Sequence, residues 1–264
     1  MKRKAIRKTI LIVIISLFSV LIMSFMLWTT LLSYPNLSYS NETKFGQVTV
    51  FHNLELEDKT GEIIADAIEI VKSSELYDEN KNINLCLNDD RIYPNLYPID
   101  ETPAYTLSNV VILKKGDYNF NKNLVVMHWE KNGVYQKMDL TWILAHEFTH
   151  CMQNNANFDY IKSTTKGQIN WKLEGHAEYI SKKFKNDGRL KEKIDDYLVK
   201  SQNGEDLVRV TVDKNGKKLT HSYYKYSLLV QYLMEIMDMD YFEICKLETN
   251  SDQVYSEMIK WRNK

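Results

Sequence analysis

The chain is 264 residues long, with 34 Lys and Arg against 35 Asp and Glu and a formal net charge of -1. This balance excludes a protein that holds nucleic acid through a basic surface. Hydrophobic residues at 44% and charged residues at 26% are ordinary for a globular chain, and 9 Gly with 4 Pro leave little room for long flexible linkers.

Residues 1–8 carry Lys2, Arg3, Lys4, Arg7 and Lys8 and read as a basic tail. Residues 9–32 run almost without charge, longer than the roughly 20 residues that cross a bilayer. Trp28 lies near their outer end, where interfacial aromatics are favoured. The pattern predicts a single-pass transmembrane anchor in the cell membrane, with the N-terminus cytoplasmic and the rest extracytoplasmic. An uncleaved anchor is favoured over a signal peptide, because no small-x-small cleavage site follows. Residues 33–47 are polar and read as a linker.

Val48 to Phe51 reads as a strand. Thr60 to Tyr77 has apolar residues at helical spacing, with Thr60 as the expected N-cap. Ile83 to Leu87 alternates like a strand, and Asn88 to Pro103 is a Pro- and Tyr-containing loop. Asn109 to Leu113 and Leu124 to Trp129 are further strands, parted by a turn at Gly116-Asp117. The character changes near residue 135. Helices are expected over Met138 to Asn155, Lys172 to Lys185, Leu190 to Lys200 and Tyr223 to Met237, with shorter ones over Tyr241 to Leu247 and Gln253 to Arg262. Between them, Leu207 to Thr220 reads as a hairpin turning at Asn215-Gly216.

Cys86, Cys151 and Cys245 have no Cys-x-x-Cys spacing, which argues against a zinc ribbon, a redox motif or a disulfide framework. One bridge at most is open to them. Cys151 follows His150 directly, but neighbours on a helix point about 100° apart, so it reads as a packing residue.

His146 and His150 stand four apart in His146-Glu147-Phe148-Thr149-His150. On a helix that puts both imidazoles on one face, roughly 6 Å apart along the axis, within reach of one Zn2+. Glu147 then lies beside the metal, where a carboxylate can take a proton from water. Trp142, Ile143, Leu144, Ala145 and Phe148 make this helix apolar nearly all round, so its polar groups would be left unsatisfied unless they bind something. A catalytic zinc takes three protein ligands. Glu174 is the candidate third, and Glu178, one turn on, could hydrogen-bond a ligand histidine, His146 in the first instance. His176 is two residues from Glu174 and so faces elsewhere, as a packing or cleft-lining group. His52, His128 and His221 have no partner evident from spacing.

The pair His-Glu-Phe-Thr-His (146–150) and Trp-Lys-Leu-Glu-Gly-His-Ala-Glu-Tyr (171–179) resembles the gluzincin metallopeptidases, the thermolysin-like and aminopeptidase-like enzymes grouped as peptidase MA-like. The resemblance implies Glu174 as third zinc ligand and Glu147 as general base. The metzincin pattern needs Gly and His where Gln153 and Ala156 stand, and is excluded. Tyr223 to Leu233 resembles the later gluzincin helix whose first Tyr stabilises the oxyanion. This implies Tyr223, with Tyr224 as second choice, although Tyr226 stands where that family often has a small residue. The expected class is α+β: an N-terminal transmembrane helix, a small mixed α/β lobe with an antiparallel-edged sheet (48–135), a mostly helical lobe (136–264), and a zincin-like active-site helix between them. The expected function is a membrane-anchored zinc peptidase acting on peptides or proteins. Endopeptidase action is favoured because no Gly-x-Met-Glu-Asn-like signature is present, and the strand at Val125 to Trp129 is expected to pair with extended substrate. The alternative is a catalytically inactive surface binding or sensor protein.

Overall fold

Val48, Val50, Ile83, Leu85, Val111 and Leu113 are all fully buried, and the strands that carry them form the middle of a mixed sheet. The structure, a computed structural model, describes residues 2–88, 104–114, 118–131, 134–153, 170–183, 189–204, 208–212 and 218–264. The loop expected over Asn88 to Pro103 and the turns at Gly116-Asp117 and Asn215-Gly216 fall almost wholly outside these residues.

Helix α1 spans Lys2–Ser33. The expected transmembrane anchor and single-pass location are corrected here: among the described residues no helix is long and apolar enough to cross a membrane. The basic residues from Lys2 to Lys8 belong to the helix itself and do not form a separate tail.

After a 3-10 turn at Pro35–Leu37, β1 (Asn41–Phe45) lies inside the segment read as linker and pairs antiparallel with β2 (Val48–His52). Helix α2 (Thr60–Val71) buries Ile63, Ile64, Ala67, Ile70 and Val71 on one face, as the 3.6-residue period requires. Its N-cap position is Lys59, with no side-chain cap. The expectation for Thr60 is therefore corrected: it is the first helical residue, and its buried hydroxyl has no hydrogen-bond partner. β3 (Ile83–Leu87) runs parallel to β2, β5 (Val110–Leu113) runs parallel to β3, and β4 (Ala104–Leu107) closes the sheet antiparallel to β5. The order β1-β2-β3-β5-β4 leaves β4 at one edge.

A second sheet takes β6 (Tyr118–Asn119), β7 (Leu124–Lys131) and β8 (Val134–Asp139), all antiparallel. β7 is its middle strand, with β6 pairing only at Leu124 and Val125. β8 also runs to Asp139, so helix begins later than residue 136. Asp139 ends the strand and starts the helix at once: its Oδ1 accepts from Trp142 N at 3.3 Å, while Asn123 Oδ1 accepts from Thr141 N at 2.9 Å. Two borrowed caps thus satisfy the first turn of α3 (Leu140–Gln153).

Among the described residues the rest is helical but for one strand pair: α4 (Trp171–Lys183), α5 (Leu190–Gln202), the β9 (Val208–Val212) and β10 (Lys218–Ser222) pair, α6 (Tyr223–Glu235), α7 (Tyr241–Lys246) and α8 (Ser251–Arg262). Ser222 caps α6 by accepting from Lys225 N, and Asp240 and Asn250 open α7 and α8 with capping boxes. No disulfide joins Cys86, Cys151 and Cys245; Cys86 and Cys151 are buried, and Cys151 packs in the main core.

Candidate metal centre

Helix α3 packs against α2, β4 and α4. Leu144, Ala145, Phe148 and Cys151 are wholly buried on it, so His146, Glu147 and His150 are held by a helix that cannot rotate without opening the core. His146 Nε2 and His150 Nε2 lie 3.1 Å apart, with their rings nearly perpendicular at 86°.

The third donor comes from α4. Glu174 Oε2 lies 3.4 Å from His146 Nε2 and 3.4 Å from His150 Nε2. These three atoms form a triangle with edges of 3.1, 3.4 and 3.4 Å. A tetrahedral ion with bonds of about 2.0–2.1 Å has ligand-to-ligand edges of about 3.3 Å. The donor set and its spacing therefore fit a zinc-sized cation, and the three residues form a group able to hold a metal.

Gly175 explains why α4 can come this close. A Cβ there would meet the Tyr226 carbonyl oxygen at 2.5 Å and Val230 Cγ2 at 2.9 Å. Only a bare Cα lets α4 settle on α6, and that contact carries Glu174 to the histidines.

Around the triangle stand two further carboxylates. Glu178 Oε2 is 3.3 Å from His146 Nδ1 and also pairs with Lys182. Glu147 accepts at Oε2 from the Thr106 hydroxyl at 2.6 Å, and its main-chain oxygen lies 3.1 Å from the same hydroxyl. Three carboxylates gather on two imidazoles here, with Lys182 offsetting Glu178. The protonation behaviour reports this field. Burial alone would lower the His146 pKa, but Glu174, Glu178 and Glu147 outweigh it and raise it to about 10. Burial alone would raise both glutamates. The His150 charge and hydrogen bonds from both imidazoles instead hold Glu174 far below the usual carboxylate range, and Lys182 and His146 hold Glu178 down at about 2.

The two candidate tyrosines part company. The Tyr223 ring lies 6.2 Å from that of His146, centroid to centroid. The Tyr224 hydroxyl instead donates to Asp196 Oδ2 at 2.8 Å and lies 3.2 Å from the Lys193 main-chain oxygen, turned toward α5. His176 is fully buried away from the triangle, and burial lowers its pKa despite the opposing pull of Glu75. His52 bonds Thr43 Oγ1 at 3.0 Å and Leu54 O at 2.7 Å on the first sheet. The side chains of His128 and His221 lie outside the described residues. Sequence reading missed Thr106 and Gln153. Thr106 sits far upstream on β4 with no motif around it, and Gln153 figured only as a departure from another pattern.

An apolar helix bearing two imidazoles with a glutamate between them, completed by a carboxylate from a second helix, defines a zinc metallopeptidase. The family model for collagenases, Peptidase_M9, matches residues 105–260, and the chain belongs to that family of zinc metallopeptidases. No curated protein and no solved structure matches the chain.

Proposed function

We propose that this protein is a zinc-dependent endopeptidase of the gluzincin pattern. In it His146, His150 and Glu174 hold the metal and Glu147 is the general base. The observation that carries this reading is the 3.1–3.4 Å donor triangle with Glu147 on the same helix. Zinc bound there supplies Lewis acidity and an acidified water. The protein's own groups do the rest. Glu147 takes a proton from the attacking water and passes it to the leaving amine. Thr106 keeps that carboxylate turned to its task through the 2.6 Å hydrogen bond. Glu178 accepts from His146 Nδ1 and keeps Nε2 available to the metal. Tyr223 donates to the developing oxyanion. β4, the sheet edge that carries Thr106, is the strand on which an extended peptide pairs. The family's description, collagenase, favours protein chains as substrates.

The full chain, supplied with zinc, should cleave peptides blocked at both ends, and chelation should stop it. Release of N-terminal residues alone, from unblocked peptides, would rule out endopeptidase action. Thr106→Val should lower kcat by about tenfold to a hundredfold, the worth of a hydrogen bond to a charged group, with Thr106→Ser recovering most of the loss. A Thr106→Val protein with the parental kcat would show that Glu147 needs no such support.

Zinc capture should also be strongly pH-dependent. A raised His146 pKa means that its proton stabilises the metal-free fold below pH 6.5, and that this contribution fades as pH climbs through about 10. Zinc must displace that proton. Apparent zinc affinity should therefore rise about tenfold per pH unit between pH 7 and 9, with about one proton released per ion. Calorimetry in two buffers of different ionisation enthalpy measures that proton, and zero release would contradict the assignment of His146.

A further inference from the structure

Gln153 ends α3 one turn beyond His150, and it is fully buried. Its amide meets three groups. Oε1 lies 2.7 Å from His150 Nδ1; Nε2 lies 3.0 Å from the Leu173 main-chain oxygen and 3.0 Å from His176 Nδ1. The Leu173 oxygen only accepts, so it fixes which end of the amide is nitrogen. The remaining assignments then follow in order. Oε1 faces His150, so His150 Nδ1 carries a proton, and in the neutral ring the lone pair is on Nε2, which faces the donor triangle. The second N–H of Gln153 points at His176 Nδ1, which must accept. His176 therefore carries its proton on Nε2, which lies 3.6 Å from Glu75 Oε2, just beyond hydrogen-bond length.

We propose that Gln153, His176 and Glu75 are positioning residues for metal capture, a mostly buried polar chain that sets the tautomer of His150 and the seat of Glu174 without touching the ion. The proposal rests on the reading of His146, His150 and Glu174 as the metal ligands.

Two features make the chain more than core satisfaction. First, the carbonyl that Gln153 holds belongs to Leu173, the residue before Glu174. One amide thus orients the second donor and ties down the helix turn that delivers the third. Second, the far end is anchored from other elements. Glu75 lies in the stretch after α2, and its Oε1 accepts from Tyr241 N of α7 at 3.1 Å. The Tyr241 ring packs on that of His176 at 4.3 Å between centroids. The chain therefore links α3, α4, α7 and the end of α2 next to the metal site.

The test is zinc affinity of the full-length protein by chelator competition, with the visible spectrum of the Co2+-loaded form as a second readout. Gln153→Leu should raise the zinc dissociation constant about 10–100-fold, the usual effect of losing an outer partner of a ligand histidine. His176→Phe, which keeps a ring against Tyr241, should raise it at least about threefold. In one chain the two effects overlap, so Gln153→Leu/His176→Phe should match Gln153→Leu alone within about twofold. Ser181→Ala, equally buried on α4 but bonded only to its own helix, should bind as the parent does. Glu75→Gln, at the part-exposed outer end, tests the chain without a core substitution and should alter the Co2+ spectrum. Parental affinity in Gln153→Leu, additive losses in the double variant, or a parental spectrum in Glu75→Gln would overturn the proposal. If the parent itself binds no zinc, the metal reading fails, and the proposal with it. That outcome is distinct from a parent that binds and variants that bind equally well.

Discussion

Replacing Glu147 with Gln is expected to lower peptide hydrolysis by about a hundredfold to ten-thousandfold, the share that general acid–base catalysis supplies, while zinc stays bound. The amide is nearly isosteric with the carboxylate and can still meet the Thr106 hydroxyl, so the helix and the donor triangle should persist. What disappears is the ability to take and return a proton. Glu147 is not one of the three donor residues, which explains why activity and metal content should separate. Turnover measured beside zinc content by atomic absorption checks both halves. An Glu147→Gln protein that turns over at the parental rate would remove Glu147 from the mechanism. One that loses zinc would instead make it a ligand.

The second large effect concerns how Glu174 arrives. Glu174→Ala removes a donor from a partly exposed position and should weaken zinc by more than the roughly 10–100-fold expected for an outer partner. Gly175→Ala keeps the donor but adds a methyl 2.5 Å from the Tyr226 carbonyl oxygen. Two terms oppose each other. Alanine gains up to about 1 kcal/mol of helix propensity over glycine. Overpacking typically costs about 1–3 kcal/mol, and here the obstacle is backbone, which no rotamer change relieves. The clash wins, so α4 should shift off α6 and take Glu174 with it. Thermal unfolding of the metal-free forms and zinc titration together distinguish the variants. Glu174→Ala should lose zinc through the missing donor, whereas Gly175→Ala should lose zinc and melting temperature with all three donors still present. A Gly175→Ala protein as stable as the parent would refute the close-packing account.

Much of the metal site follows from local geometry. His146 and His150 share a helix face because residues four apart always do, and Glu178 follows Glu174 by the same interval. The apolar run from Trp142 to Phe148 made a buried helix legible without any partner in view. The strands at Val48, Ile83 and Leu124 are legible from short stretches rich in β-branched and apolar residues, with polar Asn84 alternating in the second. Boundaries were harder. Met138 was read as helical, yet the chain stays extended to Asp139 because β8 gains a partner in β7 and the helix caps come from Asn123 and Asp139. The composition of the N-terminal run predicts a membrane span, whereas among the described residues no helix is long and apolar enough to be one.

By itself, the sequence determined which residues share a helix face, and hence the two-histidine, one-glutamate signature. That depends only on the 3.6-residue period, which needs no neighbour. Tertiary structure alone decided that Glu174 meets the histidines, that Tyr223 and not Tyr224 sits beside His146, and that Thr106, Gln153 and His176 stand around the site. Each of those contacts joins elements distant in the chain, and their register depends on packing such as the bare Cα of Gly175 against Tyr226. No local pattern encodes that register, because the same residues on helices crossing at another angle would never meet.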